Sequence, residues 1–371
     1  MIQSSLSAEH ERSSNPSPLV TVSKNKQVVS KERRLSSELE KNLIADALKT
    51  ESEGRRIYFL HLHKAGGTTV CHVARVANGL VAPKRNCNLP GDGPRTLDKG
   101  LSGHANLEWD TQVCERRAQA YDEWGLNFHA VERWLDVNLL RNCRSHFFFA
   151  TVIREPVSRF VSHCRFERTP TAEAMAWAKR DPVPNMEDEF SAVQRGPAVL
   201  DNFYVRSLNG RDTFLHVPFG QLTENHLVTA AENLASFQVV MILERLDNSF
   251  QQLYHKLNWC MPDKSHTRRS FGKGDDSIVF SKSQLDAIAE INHYDARLYS
   301  FADSLAQAIQ NNLDIQQAPK KCKPGGKMKI ASPPGAEDGG RGVRRAGRDA
   351  RRGGRKGRGG RGRRRMRREE Y

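Results

Sequence analysis

Apolar residues in this chain fall into short unbroken runs followed by helical stripes. RRIYFLHLH (55–63), HFFFATVIR (146–154) and QVVMILE (238–244) are rich in β-branched and aromatic residues and do not alternate with polar ones, the pattern of strands buried on both faces. TTVCHVARVANGL follows the first run at helical spacing through Val70, Val73, Ala74 and Ala77. Pro156 stands at a first helical position after the second run, ahead of VSRFVSHCRFER. The third run lies between LVTAAENLASF and LDNSFQQLYHKLNW, both helical in period. Ser281 to Leu313 reads as one long helix or two joined helices, striped by Leu285, Ile288, Ile291, Leu298, Phe301 and Leu305. Strands alternating with helices predict a three-layer, P-loop-like α/β fold, a central parallel sheet flanked by helices. Ligands of such a fold lie beyond the carboxyl ends of the strands.

The pattern fades at both ends, which divides the 371 residues into three. Residues 1–54 hold few large apolar side chains and read as a linker, except that LSSELEKNLIADALKT (35–50) spaces Leu39, Leu43, Ile44 and Leu48 as a short helix. Residues 55–318 form the expected folded domain. Residues 319–371 carry 20 Lys and Arg against 5 Asp and Glu, which is the whole +15 of the chain, so the remainder is formally neutral. From Gly339 on this tail repeats Arg and Gly with almost nothing apolar, and such a segment buries too little to offset chain entropy. It is expected to be disordered, with contact to RNA or another polyanion as one use for it. No apolar run approaches 18 residues and no signal-peptide pattern opens the chain, so it reads as soluble. Seven cysteines without a CxxC pair signal neither zinc nor a dense disulfide framework, and leave room for one or two bridges. The Asn15-Pro16-Ser17 triplet is barred from glycosylation by its proline.

Candidate chemistry sits where strands end. In FLHLHKAGGTT (59–69), Gly66 and Gly67 permit positive φ and close approach of a ligand, and the amides of Thr68, Thr69 and Val70 are expected as unpaired donors at a helix start. The Thr68 and Thr69 hydroxyls and the Lys64 charge complete an oxyanion site. Its lysine precedes the glycines, unlike a Walker A loop. In TVIREPVSRFVSH, Arg154 ends the strand and Ser162 follows two turns into the helix, a pair suited to a second phosphate. A surface pair of Arg154 with Glu155 or Glu167 is the plainer reading of that arginine.

Together these two segments resemble the paired nucleotide-binding signatures of sulfotransferases that use 3′-phosphoadenosine 5′-phosphosulfate (PAPS). They are most similar to those of the membrane-bound carbohydrate O-sulfotransferases of heparan sulfate 6-O-sulfotransferase type. VVMILERLDNSFQQLYHKL and AEINHYDARLYSFADSLA resemble later segments of that family, so the likeness covers residues 55 to about 312. It implies that Lys64, Ala65, Gly66, Gly67, Thr68 and Thr69 hold the 5′-phosphosulfate and that Arg154 and Ser162 hold the 3′-phosphate. His63 and Ala65 stand where the family usually has Pro and Thr. SGHANLEW (102–109) resembles the family's Gly-x-His-Ala segment, which makes His104 the implied general base. His61, His63 and Glu108 are alternatives for that role, and Lys64 would act electrostatically on the leaving phosphate. The mechanism asks for no metal. Arg116, Arg117, Arg165 and Arg168 are candidates for an anionic carbohydrate cleft, and Trp109 and Trp124 for stacking on a sugar. The family resemblance implies a Golgi membrane protein, although the chain shows no anchor and a cytoplasmic location is the alternative. Two other functions fit parts of the chain: a P-loop kinase-like phosphotransferase, and an RNA-binding protein acting through its tail.

Overall fold

The computed structural model describes residues 35–49, 56–77, 81, 86–88, 113–123, 125–177, 196–262, 274–313 and 321–322. Four parallel strands form the sheet, in the order β2-β1-β3-β4. They are β1 (Arg56–Leu60), β2 (Phe128–Val131), β3 (Phe147–Ile153) and β4 (Val239–Ile242). β1 and β3 are central, in register from Arg56 opposite Phe147 to Leu60 opposite Thr151. All seven residues of β3 are buried, as expected of a strand covered on both faces. β2 was not foreseen from the apolar runs: it has only four residues, one of them His129, whose Nδ1 lies 3.1 Å from the Tyr121 hydroxyl.

Thirteen α-helices are described around this sheet. In chain order they are α1 (Ser37–Lys49), α2 (Gly67–Val76), α3 (Val113–Glu123), α4 (Val137–Asn142), α5 (Pro156–Glu167), α6 (Thr171–Ala176) and α7 (Pro197–Leu200). There follow α8 (Phe203–Leu208), α9 (Arg211–His216), α10 (Glu224–Ala235), α11 (Leu246–Leu257), α12 (Lys282–Ile291) and α13 (His293–Asn311). Pro156 opens α5, and the stripe after Ser281 resolves into two helices that meet at Asn292. The outer edge of β4 is satisfied from α11: Val240 N donates to Gln252 Oε1 at 3.2 Å, and Gln252 Nε2 donates back to Val240 O at 2.9 Å.

Both expected domain edges shift. The helix at Ser37–Lys49 packs Leu39, Leu43 and Ile44 onto the main core, so it belongs to the folded body and not to a linker. At the other end, Cys322 is joined to Cys260 and its amide donates to Met261 O at 3.0 Å, which carries the body past residue 318. Three disulfides form where one or two were expected: Cys71–Cys87, Cys114–Cys143 and Cys260–Cys322. Cys164 is left free in the interior, and burial pushes its thiol up to about 12, so it stays protonated. A satellite core of Phe160, Cys164, Trp177, Val199, Phe280 and Ile288 lies apart from the main one and ties α5 to α12. The tail from Gly335 on lies outside the described residues.

Candidate active site

Chain order puts the site at the sheet's switch point. β1 is followed by a strand on one side of it and β3 by a strand on the other, so the loops after β1 and β3 part at their carboxyl ends and open a crevice. In the first loop Lys64 adopts φ +64° and Gly66 φ +105°. A Cβ on Gly66 would come within 2.6 Å of Leu243 Cδ1, and one on Gly67 within 1.9 Å of the His61 ring. Each glycine therefore has its own reason: positive φ at Gly66, and contact with His61 at Gly67. The amides of Thr69 and Val70 both turn to Gly66 O, at 3.0 and 3.3 Å, which corrects their reading as open donors. That leaves the amides of Gly66, Gly67 and Thr68 as the backbone donors at the start of α2 with no partner among the described residues. Thr68 Oγ1 donates to Asn86 Oδ1 at 3.1 Å, so its proton is committed until a ligand draws it away.

The second loop supplies Arg154 directly after β3, and α5 supplies Ser162. One cleft of about 490 Å³ is lined by Lys64, Arg154 and Ser162 together. Ser158, Phe166 and Phe280 line it as well, and sequence reasoning missed them. The signal for the first two was present, because Ser158, Ser162 and Phe166 recur every four residues along one face of α5. The plainer reading of Arg154 does not hold among the described residues: Glu155 instead caps α5, accepting from Val157 N at 2.9 Å and Ser158 N at 2.7 Å. The Arg154 guanidinium donates to Lys64 O at 3.4 Å and so links the two loops.

Behind the first loop lies a buried carboxylate, Glu132, just past β2. His63 Nδ1 is 3.0 Å from its Oε1, Asn86 Nδ2 donates to its Oε2 at 2.9 Å, and His61 Nδ1 is 3.7 Å away. Burial alone would raise this acid, but His61, His63 and Asn86 outweigh burial and bring it down to about 2. His61 is held by burial below its ordinary value, packed under Gly67. Its position there is that of a support for the loop. The Lys64 ammonium lies 3.7 Å from the centre of the Phe166 ring. Burial brings it down to about 8; Glu132 and Glu167 work against that shift, and Arg154 adds to it.

Other candidates are placed differently. Arg117 is buried with its guanidinium 5.3 Å from the Tyr58 ring, which removes it from any open carbohydrate surface. Arg165 lines the cleft and donates to Ile278 O at 3.2 Å, while Arg168 ends α5 at φ +54°. His104, Glu108, Trp109, Trp124 and the Arg116 side chain lie outside the described residues. Among the described residues no helix is long and apolar enough to cross a membrane, and no cluster of metal-ligand type occurs.

Residues 50–302 match the family model described as "Sulfotransferase family". No curated protein and no solved structure matches the chain. With a matched span of more than half its length, built on a parallel α/β sheet, the chain belongs to the sulfotransferase family, whose enzymes transfer a sulfuryl group.

Proposed function

We propose that this protein moves the sulfuryl group of PAPS to a hydroxyl of a carbohydrate, as do the heparan sulfate 6-O-sulfotransferases that its motifs resemble. The observation that carries the reading is the single cleft joining Lys64 of the first loop to Arg154 and Ser162 of the second. Its volume is that of a small-molecule site. Lys64, Arg154 and Arg165 supply positive charge to its lining, and Val157, Val161, Phe280 and Leu285 supply apolar surface, a combination suited to an anionic nucleotide. Lys64 and the amides of Gly66, Gly67 and Thr68 would hold the 5′-phosphosulfate, with Thr69 at the loop's end. Arg154 and Ser162 would hold the 3′-phosphate.

In the reaction the acceptor oxygen attacks sulfur in line, the bond from sulfur to the bridging phosphate oxygen breaks, and the hydroxyl proton passes to a base. His104 is the proposed base, on the resemblance of its segment. Lys64 neutralises charge building on the bridging oxygen. Three disulfides support an oxidising compartment, hence the Golgi lumen of the family over the cytoplasm.

Calorimetric titration of the full chain with adenosine 3′,5′-bisphosphate, with ATP as control, tests the donor site. Selective binding that is lost in Lys64→Ala is expected, and preference for ATP with magnesium would overturn the reading. Given an acceptor, His104→Ala should lower kcat by roughly 10²–10⁴ while bisphosphate affinity holds. Full activity in that variant would remove His104 as base.

A further inference from the structure

The turn from β3 into α5 is two residues long, Arg154 and Glu155, and its backbone is held from outside. The β3–β4 pairing ends at Ile153 opposite Ile242, so the peptide groups of Arg154 and Glu155 have no strand partner there. A single phenol serves Arg154: its amide donates to Tyr204 Oη at 3.1 Å, and that hydroxyl donates to the Arg154 carbonyl at 2.9 Å. The Glu155 amide donates to Glu244 Oε1 at 3.0 Å, and Glu244 Oε2 accepts from the Tyr299 hydroxyl at 3.0 Å. Pro156 has no amide proton to satisfy. Every backbone donor of the turn is thus bound by a side chain from α8 or from the turn after β4, the latter braced from α13.

Tyr204 is suited to this task. It is fully buried, and its own amide is anchored to Asp295 Oδ2 at 2.9 Å. Burial raises its phenol, so the hydroxyl keeps the proton it needs to donate and accept at once. The arginine side chain is less constrained, with one 3.4 Å contact to Lys64 O among the described residues. A long side chain held so lightly is aimed by its backbone, and small misplacements of a binding group are costly.

We infer that Tyr204, with Glu244 and Tyr299 beside it, is a positioning residue for Arg154 that fixes the backbone from which the guanidinium reaches the 3′-phosphate of the donor. The inference rests on the PAPS reading above. Its test is the preference for a 3′-phosphate, measured as the ratio of dissociation constants for 5′-AMP and adenosine 3′,5′-bisphosphate on the full chain. Loss of general packing would weaken both ligands, whereas misaiming Arg154 weakens only the bisphosphate. Tyr204→Phe is expected to cut the ratio by about 10-fold, the worth of one to two hydrogen bonds, and Arg154→Ala by more. A wild-type protein with no such preference would overturn the PAPS reading itself. A preference abolished in Arg154→Ala but intact in Tyr204→Phe would leave that reading standing and sink the clamp alone. Should Tyr204→Phe fail to fold, Tyr299→Phe takes its place: a 2- to 3-fold loss of the ratio is expected there, and an unchanged ratio overturns the inference.

Discussion

At the scale of single residues, Lys64 shows how much of the site is a matter of backbone. Its φ of +64° is a conformation that costs an L-residue about 1–2 kcal/mol, and glycine would adopt it freely. A lysine in that conformation, two residues ahead of the glycine pair, is consistent with the role proposed for its amine. Burial has already brought the amine down to about 8, and a phosphosulfate beside it would favour the charged form again. The sign follows: above about pH 8 the free protein has lost this proton and the complex must regain it, so binding takes up a proton and weakens as pH rises. Bisphosphate affinity should be level from pH 6.5 to 7.5 and fall toward tenfold per unit beyond pH 8. In Lys64→Arg, whose guanidinium stays charged, the decline should flatten. Titrations in buffers of different ionisation enthalpy check this, and an affinity independent of pH up to 9.5 in the wild type would contradict it.

At the scale of elements, three of the four strands were legible, the edge strand β4 among them, and β2 was not. β1 and β3 are covered on both faces and so leave continuous apolar runs, whereas β2, with Phe128, His129, Ala130 and Val131, is too short and too mixed to stand out. The first loop was readable because glycines and a lysine at a strand end are rare together. Glu132 and Asn86 were not, since only the fold brings them beneath it. The break between α12 and α13 was left open for a similar reason. Asn292 ends α12 by donating to Leu200 O and Ile288 O, both at 2.8 Å, and its Oδ1 accepts from Asn202 N at 3.1 Å. One turn on, Asp295 accepts from Tyr204 N and Val205 N, each at 2.9 Å, and so seats α8 on α13. Burial raises its carboxyl to about 7, against the pull of those two amides and of Arg159, with Asp201 adding to the rise. A carboxyl raised on folding favours the folded state fully below its unfolded value, near 4, and that contribution is lost as pH climbs to 7, at about 1.4 kcal/mol per unit. In denaturant melts from pH 4 to 8 the stability of wild type relative to Asp295→Asn should therefore fall as pH rises. A relative stability constant across that range would show that Asp295 ionises as freely in the folded protein as in the unfolded one.

At the scale of the whole molecule, composition marked where the charge of the chain changes, and the structure shows that the fold does not end there. The Arg/Gly tail is obvious in the sequence because it is repetitive, but cysteine spacing cannot reveal pairing, and Cys322 lies on the basic side of the apparent boundary. Its partner Cys260 follows α11, 62 residues earlier, and the adjoining Met261 pairs with Lys321 as an isolated parallel bridge. A cross-link closing a loop of that length stabilises by about 4 kcal/mol on the chain-entropy model. Cys322→Ser should lower Tm by roughly 10 °C in a domain of this size. Bisphosphate affinity measured well below the transition should not change, since Lys64, Arg154 and Ser162 are placed by β1, β3 and α5. A variant that melted with the wild type would mean that the last cross-link adds nothing to the body. The domain would then end where the charge pattern changes, at about residue 318.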